Sequence, residues 1–140
     1  MAEERKIDEE DLQRRYMELQ IITKQIKQGQ GQIEALDEQL ESLAGIMNSL
    51  DDLSGSKKGA EMLSPIGEGI FVKSTLDDNH ELLVNVGSNV VVPKTIEGAK
   101  EMLKKKIEQG QHHRMQMIEE LQGMIEQAKA SEREFASMVE

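Results

Sequence analysis

The amino-acid sequence predicts an α+β fold in which two long helices form an antiparallel coiled coil on either side of a central β-segment. Residues 64–95 concentrate β-branched residues, Gly and both prolines, whereas the flanking segments consist largely of Gln, Glu, Lys, Leu, Ile and Met. The first composition is typical of strands and the second of helices. Apolar residues also recur at alternating intervals of three and four in both flanking segments, which is the pattern of a coiled coil.

The first predicted helix covers about residues 8–53 and follows a heptad repeat. Its seam contains two residues that are unusual for a coiled coil, Arg15 and Gly29. Arg15 can lay its aliphatic part along the seam while its charge stays in water. Gly29 costs about 1 kcal/mol relative to Ala in a helix interior, so it indicates a close approach of the second helix, a tolerated weak point or a flexible point.

Residues 54–63 are predicted to form a linker, because small and flexible residues end the first helix there. Residues 64–95 then predict two successive β-hairpins, with a short first strand near residues 63–66 and a turn or bulge at residues 67–69. A small sheet leaves N–H and C=O groups unpaired at its edges, so we expect it to pair with the same element of other subunits. The candidate oligomerisation residues are Ile70, Phe71, Val72, Leu82, Val84, Val86, Val90, Val91 and Val92.

The second predicted helix covers residues 96–139, and Thr95 is a suitable N-cap for it. Two helices of similar length joined by a compact insert are expected to pair in antiparallel fashion. We expect the numbers of facing residues to add up to about 143, which leaves the chain ends flush, although a slip of one heptad, to about 150, fits nearly as well. The preferred register pairs Ile33 with Gly110, Ile26 with Met117 and Leu19 with Met124.

Apolar residues also accumulate toward the two chain ends, which antiparallel pairing would bring together as the tips of the coiled coil. Methionine is flexible and polarizable, so it suits surfaces that accept varied apolar partners. Met117 and Met124 also fit a simpler interpretation, in which they are ordinary seam residues. The candidate tip residues are Leu12, Tyr16, Met17, Leu19, Met124, Phe135, Met138 and Val139.

Composition restricts the function classes further. The formal net charge of -10 disfavours binding to nucleic acid or to a membrane surface, because both depend on Lys and Arg contacts with phosphate. The absence of cysteine fits a reducing compartment, and a charged start without a long apolar run predicts a cytoplasmic protein. His112 and His113 are adjacent on one helix, point in different directions and do not form a metal pair. We therefore expect no catalytic, metal or cofactor site, and one elongated domain of residues 1–140.

Two stretches of the β-segment resemble a known family. Residues 65–72, Pro-Ile-Gly-Glu-Gly-Ile-Phe-Val, are similar to the Pro-Leu-Gly-x-Gly-x-Phe-Val motif of alpha-class prefoldin subunits of the archaeal type. Residues 84–95 resemble the Val-Asp-Val-Gly-x-Gly-x-x-Val-Glu-Lys motif of the same family. Asn89 replaces the second Gly of that motif, but Asn tolerates positive φ. Pro93 replaces an acidic residue and removes a backbone donor, so the strand should end there or lie at an edge.

The resemblance implies an ATP-independent molecular chaperone. Two alpha-class and four beta-class subunits would join their hairpins into an inter-subunit β-barrel, and the coiled-coil tips would hold unfolded polypeptide and pass it to a group II chaperonin. The residues alone leave a second interpretation open, a structural coiled-coil protein that assembles rings or filaments through its β-segment. Suppression of client aggregation separates the two, because a spacer would not hold a client.

Overall fold

In the computed structural model the chain follows the order helix, four strands, helix. The structure describes the backbone of residues 2–139 and the side chains of residues 9–138. These elements confirm the predicted α+β fold, with two long helices on either side of two antiparallel hairpins. They are helix α1 (Ala2–Ser54), strands β1 (Glu61–Gly67), β2 (Ile70–Thr75), β3 (Leu82–Asn85) and β4 (Val91–Lys94), and helix α2 (Ile96–Val139).

Local chemistry explains the ends of the helices. α1 ends at Ser54, and the N–H of Gly55 still donates to the carbonyl of Asp51 over 3.2 Å before small residues break the helix. α2 begins directly after Thr95, whose Oγ1 accepts a hydrogen bond of 3.0 Å from the N–H of Gly98 and so acts as the predicted N-cap. α1 begins earlier than the predicted residue 8, since residues 2–7 contain neither Gly nor Pro.

The first hairpin pairs β1 with β2 through a two-residue turn. Glu68 and Gly69 have φ values of 52° and 77°, and positive φ at both positions is the mark of the turns that suit hairpin twist. Of the turn or bulge predicted at residues 67–69, the turn is observed, and the pairing shifts directly before it, between Pro65 and Gly67. β1 starts at Glu61, which makes the predicted linker too long and the predicted first strand too short.

The second hairpin pairs β3 with β4 and forms a sheet separate from the first. Its turn is closed by a hydrogen bond of 2.9 Å from the N–H of Val86 to the carbonyl of Val90. Asn89 adopts a φ of 61° in this turn, as its chemistry allows. Pro93 lies within β4 opposite Leu83, and β4 is an edge strand, so the missing donor interrupts no ladder.

Residues Leu40–Gln109 form one compact unit, called here the hairpin unit. The connection between the two hairpins is held against the linker that follows α1. The N–H of buried Leu76 donates to the carbonyl of Ala60 over 2.9 Å, and the Leu76 carbonyl accepts from the N–H of Gly59 over 2.7 Å. The side-chain amide of Asn79 donates to the carbonyl of Ser56 over 2.8 Å. These three hydrogen bonds tie the connection between the hairpins to the linker.

Residues Met1–Gln39 and Gly110–Glu140 form the other compact unit, called here the helical unit. Cross-helix contacts within it show that α1 and α2 run antiparallel. Asp37 pairs with Arg114, and Tyr16 packs against Phe135. Tyr16 precedes Asp37 in α1, whereas its partner Phe135 follows Arg114 in α2. This reversed order shows antiparallel pairing.

The register differs from the preferred prediction by one heptad. Facing residue numbers add up to about 150 in the helical unit, and the pair of Lys100 with Asp51 gives the same register within the hairpin unit. The alternative slip is thus the observed one. The three pairs of the preferred register, Ile33 with Gly110, Ile26 with Met117 and Leu19 with Met124, are wrong.

Gly29 supplies a physical reason for the observed register. A Cβ atom added to Gly29 would lie 3.2 Å from Cδ1 of Leu121, so the absence of a side chain leaves room for that leucine. In the preferred register Gly29 would instead have faced Arg114, which in the structure pairs with Asp37. Of the interpretations that the sequence left open, the close approach of the second helix is the one observed.

We predict that leucine substitutions at the two neighbouring glycines have opposite effects on thermal stability. Gly29→Leu should lower the melting temperature, because overpacking against Leu121 costs about 1–3 kcal/mol and outweighs the gain in helix propensity. Gly31→Leu should raise it, because no heavy atom lies within 4 Å of the added Cβ and removal of a helical glycine gains about 1 kcal/mol. The measurement is thermal unfolding followed by circular dichroism.

The double variant Gly29→Leu/Leu121→Ala is the matched control, since it removes side-chain volume at residue 121 where the leucine at residue 29 adds it. It should recover part of the lost stability. Equal melting temperatures for the two single leucine variants would contradict the close approach.

Candidate functional site

The helical unit exposes a compact group of large apolar side chains on α1. Met17 is 61% exposed and Ile21 is 56% exposed, and Tyr16 is also exposed, whereas Ile22 beside them is only 9% exposed. Met17 and Ile21 are four residues apart, so they share one face of the helix, away from the seam. Tyr16, Met17 and Ile21 are called the exposed cluster below. Among the described residues of this unit, Met115 is the other large apolar residue with comparable exposure, at 63%.

Contacts with α2 hold the end of the seam beside the exposed cluster. The rings of Tyr16 and Phe135 have centroids 6.3 Å apart and planes inclined by 39°, a tilted geometry that aromatic pairs favour. Nη1 of Arg15 lies 2.5 Å from Oε2 of Glu134. Arg15 is half-buried, so its stem lines the seam while its charge finds a partner. Tyr16 therefore contributes to the coiled coil with one face and stays partly accessible.

Most of the other predicted tip residues lie in or beside the seam. The helix backbone ends at Val139, but the side chain of Val139 lies outside the described residues. Ile21, which the sequence analysis did not select, belongs to the exposed surface. A signal for it existed, since an isoleucine directly before the seam residue Ile22 is one apolar residue more than a narrow seam uses. The half-buried tip residues are Leu12, Leu19, Met124, Phe135 and Met138.

The loose seam of α2 tolerates Arg114 because Asp37 compensates its charge. Nε of Arg114 lies 2.5 Å from Oδ1 of Asp37, and Nη2 lies 3.3 Å from Oδ2. Such a two-point contact fixes orientation as well as charge. The hydrogen bond to Asp37 and the charge of that carboxylate raise the pKa of Arg114 above its ordinary value.

The second hairpin carries apolar side chains on both faces. Directly opposed residues of an antiparallel pair lie on the same face, so Val84 and Val92 share one face and are half-buried. Leu83 and Val91 belong to the opposite face, where Leu83 is 74% exposed. A two-stranded hairpin has only one face to give to a core of its own. Apolar residues on both faces therefore indicate that other surfaces cover them.

The nine predicted oligomerisation residues divide by exposure. Four further exposed residues, Met62, Leu63, Ile66 and Leu83, were not predicted, because the sequence alone does not assign the pairing that gives each strand its two faces. Each of the four strands also has one edge without a strand partner in the part of the chain that the structure describes. Leu82, Val84 and Val92 are half-buried, whereas Ile70, Phe71, Val72, Val86, Val90 and Val91 are exposed.

Long paired helices joined through two hairpins also occur in known proteins. The family model described as "Prefoldin subunit" matches residues 22–140, which is most of the chain. The chain belongs to the prefoldin family. This match, together with the archaeal relatives below, confirms the resemblance to alpha-class prefoldin subunits. Prefoldin is a family of chaperones, and membership supports a non-enzymatic role for this chain.

Several relatives of this prefoldin are alpha subunits from archaea. The chain is 29% identical over 114 residues to "Prefoldin subunit alpha" of Methanobrevibacter smithii, covering 79% of this chain and 77% of the relative. It is 34% identical over 99 residues to "Prefoldin subunit alpha 1" of Methanocaldococcus jannaschii, covering 71% and 67% of the two chains. With "Prefoldin subunit alpha" of Archaeoglobus fulgidus it shares 26% identity over 128 residues, covering 91% and 81%.

A solved structure shows the same fold. A chain of the filamentous PFD from Methanocaldococcus jannaschii, determined by cryo-EM, superposes with a TM-score of 0.74 at 19% identity, covering 82% of this chain and 95% of that one. Neither helix of this prefoldin contains, among its described residues, an apolar stretch long enough to cross a bilayer.

We predict that alanine substitutions at two adjacent isoleucines of this prefoldin separate surface from core. Ile22→Ala should lower stability by about 2–5 kcal/mol, because it removes a buried side chain and leaves a cavity. Ile21→Ala should change stability by less than about 0.5 kcal/mol, since Ile21 is largely exposed. The free energy of unfolding is measured by urea titration with circular dichroism. A large loss in Ile21→Ala would contradict its assignment to the exposed cluster.

Proposed function

We propose that this prefoldin subunit is part of an ATP-independent chaperone that holds unfolded polypeptides at the coiled-coil tips. The exposed cluster carries this proposal. Three large apolar side chains accessible within six residues of one helix are costly in water, and a surface that binds apolar segments is a use for them. The half-buried tip residues beside the cluster would extend the binding surface.

Weak binding by each tip suits a protein that must also release its client. A single large apolar side chain contributes about 1.5–3 kcal/mol when it is fully buried by a partner, so a cluster of three gives modest affinity after the cost of ordering an unfolded chain. Several tips in one assembly would act on the same client through effective concentration. No nucleotide hydrolysis is required for such reversible binding.

The hairpins are the proposed assembly site. Their unpaired edges and apolar faces would be completed by hairpins of other subunits in an inter-subunit β-barrel. The alpha-class relatives and the family resemblance support beta-class prefoldin subunits as partners, with two alpha and four beta subunits in a hexamer. We further propose that the assembly is cytoplasmic and passes its clients to a group II chaperonin. We also propose that the candidate oligomerisation residues form the contacts between subunits and that the candidate tip residues bind clients.

A structural role is the second candidate. The solved structure of similar fold comes from a filamentous PFD, and assembly into filaments through the hairpins is what the structural interpretation expects. The exposed cluster favours the chaperone instead, because a spacer has no need for accessible apolar residues away from its seam. Filaments that do not suppress client aggregation would support the structural role.

We predict that the double variant Met17→Gln/Ile21→Gln loses client holding without loss of assembly. Gln matches Met in length and helix propensity and exceeds Ile in both, so the two substitutions remove apolar surface without weakening the helix. The variant is mixed with intact beta-class subunits, and suppression of aggregation of a chemically denatured client is measured beside native mass. Client holding should fall severalfold. The loss should be incomplete, because the beta-class subunits keep their own tips. The mass should not change.

The matched control is Met115→Gln, an equally exposed methionine on α2 outside the cluster. It should hold clients as well as the unmodified chain. Full holding by the double variant at unchanged mass would place client binding elsewhere, and loss of the complex would show that the cluster is structural.

We predict that Val84→Asp and Val91→Asp each abolish hexamer assembly. The two residues lie on opposite faces of the second hairpin, and each aspartate would bring an unpaired charge into a contact between subunits. Native mass measurement with intact beta-class subunits should show free subunits, while circular dichroism keeps most of its helical signal. The control is Lys58→Asp in the exposed linker. Assembly of both valine variants would refute the barrel, and assembly of one would limit the interface to a single face.

A further inference from the structure

Methionine side chains of this prefoldin differ widely in their access to solvent. Met17 and Met115 are 61% and 63% exposed, and Met62 on β1 is less exposed. The other methionines among residues 9–138 are half-buried. Oxidation of the thioether to the sulfoxide depends on access of the oxidant to sulfur. Met17 and Met115 are therefore the two helix methionines that a dissolved peroxide reaches most readily.

The surroundings of these two methionines are different. Met17 belongs to the exposed cluster with Tyr16 and Ile21, and the other residues one turn away from it are Gln13, Arg14 and Gln20. Met115 is a single apolar residue on a solvated face of α2, next to Gln116, whose side chain lies within 3.4 Å of His112. A change of polarity at Met17 alters a group of three exposed apolar side chains, whereas the same change at Met115 alters a single exposed one.

We propose that Met17 is an oxidative modification site that controls client binding. This inference rests on the proposed holding function and adds a form of regulation to it. A hydroperoxide transfers one oxygen atom to the sulfur of Met17 and leaves as water or an alcohol, and the sulfur loses two electrons. The product is a polar, chiral sulfoxide in place of a flexible apolar side chain. The exposed cluster then loses one of its three apolar side chains.

The modification is chemically reversible. Methionine sulfoxide reductases return the sulfoxide to the thioether with a thiol as the electron source, one enzyme for each sulfoxide epimer. The chain contains no cysteine, so a hydroperoxide and a thiol reductant act on it without forming disulfides. Oxidation and repair at Met17 would thus weaken and restore client binding on an unchanged scaffold.

The test uses the assembled complex with intact beta-class subunits whose own methionines are left unoxidised. The free alpha subunit is treated with dilute hydrogen peroxide, peroxide is removed, and the complex is then formed. Peptide mass mapping measures the sulfoxide at each methionine, and circular dichroism and native mass report on the fold and the assembly. Client holding after oxidation is expressed relative to the same preparation before oxidation, so that every variant is its own reference.

Oxidation of the unmodified chain should weaken holding several-fold, corresponding to about a tenfold loss of affinity at each tip of this subunit. Treatment with both sulfoxide reductases should restore it. Met17→Leu should show no loss on oxidation, since leucine is apolar and has no sulfur. Met115→Leu should show the same loss as the unmodified chain, because it keeps Met17.

Two results would overturn the inference. One is full holding by a preparation in which Met17 is mapped as sulfoxide, and the other is an equal loss on oxidation in Met17→Leu. Failure of the unoxidised complex to hold any client is a different outcome, because it rejects the holding function itself. A changed number of subunits in the complex or a changed helical content on oxidation would assign the effect to the scaffold and also reject the proposed role of Met17.

Discussion

The packing of α1 against α2 in a single register is the interaction on which the arrangement of the helical unit depends. Side chains at equivalent positions of successive heptads are similar, so apolar burial alone distinguishes the two possible registers poorly. Local complementarity decides between them. Leu121 occupies the space left by Gly29, and the guanidinium of Arg114 reaches Asp37. The observed register brings Tyr16 against Phe135 and leaves Met17 and Ile21 outside the seam.

The hairpins differ from the helices, because they expose apolar surface that the chain does not cover by itself. Two separate two-stranded sheets leave an edge open on every described strand, and isolated hairpins of this size are marginally stable in water. The helical pairing gains its stability within the chain, whereas the hairpins would gain theirs between chains. Folding and assembly therefore place different demands on the two parts of the sequence.

The fold could be predicted from composition and periodicity because both are properties of single segments. Residues rich in valine with glycine turns form strands, and the heptads of α1 and α2 form helices, whatever their partners are. The register could not be predicted in the same way, because Gly29 has its effect only through Leu121, a residue more than ninety positions away. Ile21 was missed for a related reason. The heptad repeat identifies the residues that point into the seam, and Ile21 stands out in the sequence only as one apolar residue more than a narrow seam uses.

The local nature of the hairpins has a consequence for the order in which the chain folds. Each hairpin joins residues that are close in the sequence, and the contacts of Asn79 and Leu76 tie the connection between them to the nearby linker. Helix pairing instead joins residues that are progressively farther apart, from Asp51 with Lys100 to Tyr16 with Phe135. Loop closure costs more entropy as the loop lengthens, although the increase is gradual. The coiled coil should therefore close from the strands toward the chain ends.

During synthesis from the N-terminus, α1 is complete before any part of α2 exists. Its apolar seam has no partner helix within the chain for that interval and stays exposed to water until α2 is made.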